Sequence, residues 1–273
     1  MILCNPVHAR TSATNMYLNL SNCSVDIPKD HPRYASLVTR ERLAELVRKG
    51  LVTPTGLISH GRGEAFDYLM NERTTDAAME AEKAAVAYLL NAKCPIVCVN
   101  GNAAALDAAK LIELASETDS RIEVNIFHRT EERLNALIEY MEECGARNVL
   151  GKHPDSRIPG LSSERALCTN EGIFSSDVIL VPIEDGDRAE ALVKMGKIVI
   201  AIDLNPLSRT SRAATVSIAD EMSRALNNMI KFAKELKNDT KERENIISQF
   251  SNTENRKRMI DDICDNLKAI SDR

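Results

Sequence analysis

Short apolar segments alternate with helical segments through the middle of this chain, and this alternation constrains the fold more than any other feature. Helical patterns cover about 103–116, 131–144 and 187–195. The apolar segments are PIVCVN (95–100), IEVNIF (122–127), DVILVP (177–182), IVIAID (198–203) and the weaker TVSIAD (215–220). Strands that are apolar on both faces and are separated by helices form a parallel sheet covered on both sides. The sequence therefore predicts a doubly wound α/β fold.

Helical segments flank this predicted core. Upstream, we expect a helix with Asp30 as its N-cap that is terminated by Gly50, and a second helix capped by Thr74-Thr75. The stretch GLISHGRGEAFDYL (56–69) lies between them and is rich in glycine. Downstream, the pattern is helical from about Ser223 to the end.

These patterns divide the chain into three parts. Residues 1–26 are polar and aperiodic and are predicted to be a loosely ordered extension. Residues 27–230 form the main domain, and 231–273 form a C-terminal helical tail with apolar residues at helical spacing. Two interpretations of the tail stay open: it forms or caps a dimer, or it packs on its own domain.

Charge and cysteine content exclude several classes of protein. The 273 residues carry 35 Lys and Arg against 40 Asp and Glu, a net charge of −5, which argues against binding to nucleic acid or to an anionic membrane. No apolar run approaches the roughly 18–20 residues that cross a bilayer. The seven cysteines are odd in number and scattered, which favours reduced thiols and predicts a cytoplasmic protein.

The residues that follow each strand are the candidates for chemistry, because open parallel sheets bind ligands at the carboxyl ends of their strands. The turn Asn100-Gly101-Asn102 follows the first strand and exposes backbone N–H groups to an anion, although a plain tight turn explains it equally well. His128-Arg129 follows the second strand, and the segments 184–188 and 204–210 follow the next two. Their Asp, Asn, Arg, Ser and Thr side chains suit a ribose, a base edge or a triphosphate.

A second concentration of polar groups lies in the glycine-rich stretch. Arg62 has glycines on both sides, which predicts close backbone approach to a ligand and a guanidinium that binds phosphate or carboxylate. His60 is a candidate acid or base near neutral pH. With Arg40 and Arg209, Arg62 favours a polyanionic ligand, whereas a turn with solvated charges is the alternative for Arg62 alone.

Five longer segments together resemble the archaeal phosphopantothenate synthetases, the 4-phosphopantoate–β-alanine ligases of coenzyme A biosynthesis. The resemblance runs from about Ile27 into the 220s. The segments are IPKDHPRYASLVTRERL (27–43), GLISHGRGEAFDYL (56–69), VNGNAAAL (99–106), VPIEDGDRAEALVKMGK (181–197) and AIDLNPLSRTSRAA (201–214).

This resemblance implies a Rossmann-like, cytoplasmic homodimer that joins (R)-4-phosphopantoate to β-alanine. ATP is consumed, AMP and diphosphate are released, and an acyl-adenylate is the intermediate. Mg²⁺ is expected to accompany ATP and to bridge its phosphates, with no metal site built by the protein itself. The implied partners are small-molecule substrates, with no nucleic acid and no membrane.

The resemblance also assigns ATP contacts by motif. One of them departs from the family pattern, because Asp220-Glu221 stands where the family tends to have Asp-Asn. The implied contacts are Arg40, Arg62, Asp203, Leu204, Asn205, Arg209, Thr210, Glu221 and Met222.

For the substrate, we expect phosphopantoate to lie against the turn after the first strand and against one further arginine. Arg62 and His60 are the predicted catalytic residues, and His60 or a carboxylate is the expected base for the β-alanine amine. The predicted substrate contacts are Asn100, Gly101, Asn102 and Arg129, with Arg188 as an alternative arginine.

An oxidoreductase and a nucleotide sensor are the alternative functions. A nicotinamide-dependent oxidoreductase needs G-x-G-x-x-G after the first strand and an acidic residue after the second, but the chain has Asn100-Gly101-Asn102 and His128-Arg129 there. A non-catalytic nucleotide sensor uses the same arginines and glycines, and only product formation distinguishes it from a ligase.

Overall fold

The computed structural model describes residues 27–271, with side chains to residue 269, so the predicted extension 1–26 lies outside the described residues. The described residues divide into two compact units, 27–41 and 42–271. In the first unit, turns around His31 lead into helix α1 (Tyr34–Arg48), which begins four residues after the predicted cap, Asp30. Gly50 adopts φ +77°, the left-handed conformation that ends a helix, as predicted.

Five parallel strands form the central sheet of the second unit. They are β1 (Ile96–Val99), β2 (Arg121–Val124), β5 (Val178–Pro182), β6 (Ile198–Ile202) and β7 (Val216–Ile218), in the spatial order β2-β1-β5-β6-β7. The predicted parallel, doubly wound sheet is confirmed, and its strand order reverses between β1 and β5. A reversal of this kind opens a crevice at the carboxyl ends of the two strands.

Helices cover both faces of the sheet, as predicted from the alternating pattern. The apolar residues of α3 are buried almost throughout, since that helix lies between the sheet and the C-terminal helices. The helices are α2 (Pro54–Leu69), α3 (Asp76–Asn91), α4 (Gly101–Glu117), α5 (Glu131–Glu143), α6 (Gly186–Lys194), α7 (Arg209–Ala213), α8 (Met222–Leu236), α9 (Thr240–Gln249) and α10 (Asn252–Ser271).

The glycine-rich stretch is a regular helix, so the turn given as the alternative for Arg62 is not present. Thr53 caps α2 by accepting a hydrogen bond from the backbone N–H of Gly56, and Pro54 occupies its first turn. The helix tolerates its glycines because it packs closely on its neighbours. A Cβ atom at Gly56 would lie 2.3 Å from Oδ1 of Asn102, and one at Gly63 would lie 3.2 Å from Leu204.

An insertion between α5 and β5 has no counterpart in the sequence-based prediction. It contains a short antiparallel pair, β3 (Ser156–Arg157) and β4 (Leu167–Cys168), and single 3₁₀ and π turns at 164–166 and 170–174. The buried carboxylate of Glu123 on β2 holds it in place, because it accepts hydrogen bonds from the backbone N–H and the hydroxyl of Thr169 and from the backbone N–H of Ile173.

The C-terminal helices belong to the second unit and pack on its other helices. Helix α8 lies against α3 and α4, and α9 and α10 also contact α3. Met259 of α10 is fully buried in the main apolar core. The predicted boundary at 230/231 falls inside α8. Within residues 27–271, no helix combines the length and the apolar character that a membrane span requires.

A buried polar cluster joins α2, α3 and α8 behind the carboxyl end of β7. Arg224 forms ion pairs with Asp67 and Asp220, and Asp220 also accepts a hydrogen bond of 2.6 Å from the hydroxyl of Thr74. Glu82 is fully buried beside this cluster. Burial, together with the negative charge of Asp220, raises the pKa of Glu82 from 4.5 to about 9.

This pKa predicts that Glu82 lowers the stability of the protein as the pH rises. Between about pH 4.5 and 9 the carboxyl is ionised in the unfolded chain and protonated in the folded protein, so its contribution to the free energy of unfolding falls with rising pH. Glu82→Gln removes this titration. The free energy of unfolding of the variant minus that of the wild type should be larger at pH 8 than at pH 5. Urea denaturation at both pH values measures this difference. A matched change at exposed Glu139 should leave the difference between the two pH values unaltered; an equal response of both variants would contradict the assignment.

Candidate active site

Four loops meet at the carboxyl edge of the sheet. They follow β1, β5, β6 and β7, which are neighbours in that order, so the loop after β5 lies between the loops after β1 and β6. Helix α2 contributes two residues to this edge. Ser59 lines a cavity beside the turn after β1, and Arg62 lies near Asp203 in the loop after β6. The sequence placed most of the predicted site residues on these segments, and the structure brings those segments together.

Asn100 ties the loop after β1 to the loop after β5. Its Nδ2 donates hydrogen bonds to the carbonyl oxygens of Pro182 and Ile183, at 2.9 and 3.0 Å, and its Oδ1 caps α4 by accepting from Ala103. All of its amide groups are therefore used within the protein. Ile183 has φ +51°, which is strained for a β-branched residue, and the bond from Asn100 holds its carbonyl in that conformation.

The next two residues fix the position of this turn. Gly101 lies directly against the backbone of Leu51, since a Cβ atom at Gly101 would be 2.3 Å from the Leu51 carbonyl oxygen. Nδ2 of Asn102 donates a hydrogen bond of 2.9 Å to the carbonyl oxygen of Gly56 on α2. The turn predicted to contact the substrate is thus locked to α2 and to the loop before it.

A cavity of about 320 Å³ opens beside this turn. Its walls come from the loop before α2, the turn after β1, the end of β2, helix α5, the insertion and the loop after β5. Three of its side chains are cations or titratable to cations, and one is a carboxylate. These four are His128, Arg133, Arg165 and Asp185.

Arg165 is the functional candidate that the sequence analysis missed. It lies in the 3₁₀ turn of the insertion, is only 5% exposed, and lines the cavity. Its guanidinium donates to Oδ1 of Asn125 at 3.0 Å, to the carboxylate of Glu184 at 2.6 Å and to Asp185 at 3.3 Å. The insertion has no hydrophobic periodicity, so no pattern in the sequence places this arginine at the sheet edge.

The two arginines considered for the substrate lie elsewhere. Arg129 donates a hydrogen bond of 2.9 Å to the carbonyl oxygen of Gly151 and does not line the cavity, whereas Arg133, one turn later, does. Arg188 is 1% exposed and forms an ion pair with Glu184. Burial alone raises the pKa of Glu184, but the guanidinium groups of Arg165 and Arg188 outweigh it and lower the pKa overall.

The predicted nucleotide residues gather around the loop after β6. Asp203 accepts hydrogen bonds from the backbone N–H of Asn205, at 3.0 Å, and from the hydroxyl of Ser208. Burial raises the pKa of Asp203, while these hydrogen bonds and the charge of Arg62 act in the opposite direction. Arg62 is exposed, and the next residue of α2, Gly63, packs against Leu204. Arg62 and the loop therefore share one side of the site.

Other predicted nucleotide residues hold the loops in place. The hydroxyl of Thr210 donates a hydrogen bond of 2.7 Å to the carbonyl oxygen of Glu184, and exposed Arg209 forms a two-pronged ion pair with Glu190. Glu221 caps α8 by accepting from the backbone N–H groups of Ser223 and Arg224.

Three further predicted residues lie in other positions. Met222 is 3% exposed and belongs to the core. Arg40 lies on α1 in the first unit. His60 lies on α2 with Nε2 3.9 Å from the carboxylate of Glu64, outside the lining of the cavity.

Comparison with known proteins identifies the family. A family model described as phosphopantothenate/pantothenate synthetase matches residues 77–266. The chain belongs to this family. A 4-phosphopantoate–β-alanine ligase of Methanosarcina mazei is 52% identical over 247 residues, which cover 90% of this chain and 97% of that protein. A ligase of the same name from Thermococcus kodakarensis is 49% identical over 80% of this chain and 84% of its own length. The predicted family is confirmed.

For a phosphopantothenate synthetase, the donor set of this site suits anionic substrates. Arginines and backbone N–H groups dominate it. Within the part of the chain that the structure describes, no group of three or more His, Cys, Asp and Glu side chains is arranged to hold a metal ion.

The close packing of Gly101 predicts that this synthetase tolerates no side chain there. Gly101→Ala would press a methyl group against the Leu51 carbonyl oxygen, and we expect a loss of about 1–3 kcal/mol in the free energy of unfolding. Gly61→Ala on α2 is the control, because a Cβ atom there meets nothing within 4 Å and Ala is favoured over Gly inside a helix by roughly 0.5–1 kcal/mol. Guanidinium denaturation of both variants measures the difference; equal stabilities would show that the turn is not packed as described.

Proposed function

We propose that this chain is an ATP-dependent 4-phosphopantoate–β-alanine ligase of coenzyme A biosynthesis. It joins (R)-4-phosphopantoate to β-alanine and releases 4′-phosphopantothenate, AMP and diphosphate. The observation that carries the proposal is the 52% identity with the Methanosarcina mazei ligase over nearly the whole of that protein. The site geometry supports it, since two groups of polar loops adjoin at one sheet edge, as a reaction between two bound anions requires.

ATP is proposed to bind on the β6 and β7 side. Arg62 approaches the loop of Asp203 there, and it is suited to the phosphates, while Asp203 and Asn205 are suited to the ribose or the base. Arg40 and Arg209 are proposed as further phosphate ligands, which requires Arg209 to leave Glu190, its exposed partner. The remaining proposed contacts are Leu204, Thr210, Glu221 and Met222.

Phosphopantoate is proposed to bind in the cavity on the β1 side. Gly101 and Asn102 would supply backbone N–H groups, and Asn100 would act by fixing the turn. Arg133 and Arg165 line this cavity and replace Arg129 as the proposed cations. The substrate carboxylate would then face the α-phosphate of ATP, attack it and form the acyl-adenylate, with fixed cations offsetting the crowded negative charge.

Several finer points are proposed with this activity. Mg²⁺ is expected to arrive with ATP and to be held by phosphate oxygens and water. A homodimer and a cytoplasmic location follow from the family resemblance and stay predictions. His60, four residues from Glu64 on α2, stays a proposed catalytic residue.

The first test is release of AMP from ATP and Mg²⁺ by the purified full chain. We expect phosphopantothenate and AMP in equal amounts only when 4-phosphopantoate and β-alanine are both present. Background release under every combination would refute the ligase. A nucleotide sensor would bind ATP in a titration and still form no product.

Arg62→Ala tests the proposed phosphate contact. Loss of one preorganised cation at a developing charge lowers kcat by about 100-fold or more. We expect this loss in the product assay with an unchanged far-UV circular dichroism spectrum. Arg147→Ala is the control. That exposed arginine lines a different cavity, beside the first residues of β2. Full turnover by Arg62→Ala would remove Arg62 from the site.

A further inference from the structure

Asp185 occupies the middle of the site. It follows β5, and the sheet order places that loop between the turn after β1 and the loop after β6. Phosphopantoate is proposed to lie on the first side and ATP on the second. The acyl-adenylate that joins them would therefore lie over the loop that carries Asp185.

The backbone next to Asp185 is fixed from both sides. Asn100 donates hydrogen bonds to the carbonyl oxygens of Pro182 and Ile183, and Thr210 donates to that of Glu184. The N–H of Asp185 itself donates a hydrogen bond of 2.8 Å to the Glu184 carboxylate. The residue therefore has a defined place between the two proposed binding sites.

The side chain of Asp185 is oriented and still accessible. Oδ2 accepts from Nη1 of Arg165 at 3.3 Å, and Arg165 is in turn held by Glu184 and Asn125. The carboxylate nevertheless remains 54% exposed and lines the cavity. Four charged or titratable side chains line the cavity, and Asp185 is the carboxylate among them. The others are His128, Arg133 and Arg165.

The second half of the reaction needs such a group. β-Alanine is an ammonium ion at neutral pH, and the nitrogen lone pair is available only after a proton has left. A cavity lined with arginines repels the ammonium group, so one carboxylate is needed to attract it and to accept its proton.

Building on the proposed ligase activity, we propose that Asp185 binds the ammonium group of β-alanine and is the base that deprotonates it. Arg165 is the positioning residue that holds the carboxylate toward the cavity. This assigns the amine step to the loop after β5 and leaves His60 outside it.

The amine loses two protons in this step. The ammonium group transfers one proton to Asp185, and the freed lone pair attacks the acyl carbon of the adenylate. The bond between that carbon and the phosphate oxygen breaks, and its electron pair leaves with AMP. Asp185 passes the first proton to water at its exposed edge and accepts the second as the nitrogen becomes an amide.

The surroundings of Asp185 suit a base. Burial raises the pKa of Asp185 above its ordinary value, and the charge of Glu184 adds to the rise, while Arg165 opposes it. A higher pKa brings a carboxylate closer to that of the proton donor and makes it a better base. The charged or titratable groups that face it are Glu184, Arg165, Asp187 and Arg188, with His128 and Arg133 on other walls of the cavity.

The test is Asp185→Asn, which keeps the shape of the side chain and removes the base. Adenylate formation is followed without β-alanine, as exchange of labelled diphosphate into ATP and as hydroxamate formed with hydroxylamine, an amine that is uncharged at neutral pH. We expect both signals to stay within about threefold of the wild type. Phosphopantothenate formation should fall by about 100-fold or more, the usual contribution of a general base.

The controls separate the possible failures. Asp261→Asn makes the same change at an exposed position on α10, outside the cavity, and should leave every rate unchanged. A wild type that forms no phosphopantothenate refutes the proposed function itself. If the wild type is active, equal loss of adenylation and product in Asp185→Asn overturns the present proposal, and so does an unchanged product rate.

A pH profile gives an independent readout. In the wild type, the rate with β-alanine should fall at acid pH as Asp185 is protonated, and Asp185→Asn should lack that limb. Loss of the same limb in His60→Gln, with Asp185→Asn retaining it, would transfer the role to His60 and overturn the proposal.

Discussion

The ion pairs of Glu184 are the interaction on which the arrangement of this site depends. The carboxylate is buried at the end of β5 between the guanidinium groups of Arg165 and Arg188. Arg165 belongs to the insertion and Arg188 to α6, so one buried anion joins the end of β5 to the insertion and to the helix that follows the strand. Removing one partner from a buried ion pair costs about 3–5 kcal/mol, because the remaining charge is left without compensation. The wall of the cavity therefore exists only while this set of charges is complete.

The chain could be assigned its fold from sequence because its strongest signals are local. Each predicted central strand overlaps an observed one, and the caps at Gly50 and Thr75 lie where expected. The exception is α2, a helix that was not predicted and that has three glycines within eight residues. Their reason is tertiary, since Gly56 makes room for Asn102 and Gly63 makes room for Leu204. Propensity alone carries no information about such neighbours.

The site was predictable only in part, for a related reason. Residues that directly follow strands, such as Asn100 and Asp203, are placed by topology, which the sequence pattern predicts. Arg165 is placed by an insertion that is anchored through Glu123, a buried carboxylate whose partners are 46 and 50 residues away. Arg129 precedes α5 and donates to Gly151, whereas Arg133 in the first turn of α5 lines the cavity, and the sequence pattern does not show which of the two reaches it.

The conformation of Ile183 has a mechanical consequence for the two halves of the site. A β-branched residue at φ +51° stores about 1–3 kcal/mol of backbone strain. The side-chain amide of Asn100 donates a hydrogen bond to the carbonyl oxygen of Ile183 and stabilises this strained conformation. The position of Asp185, two residues later, therefore depends on a hydrogen bond that comes from the turn after β1.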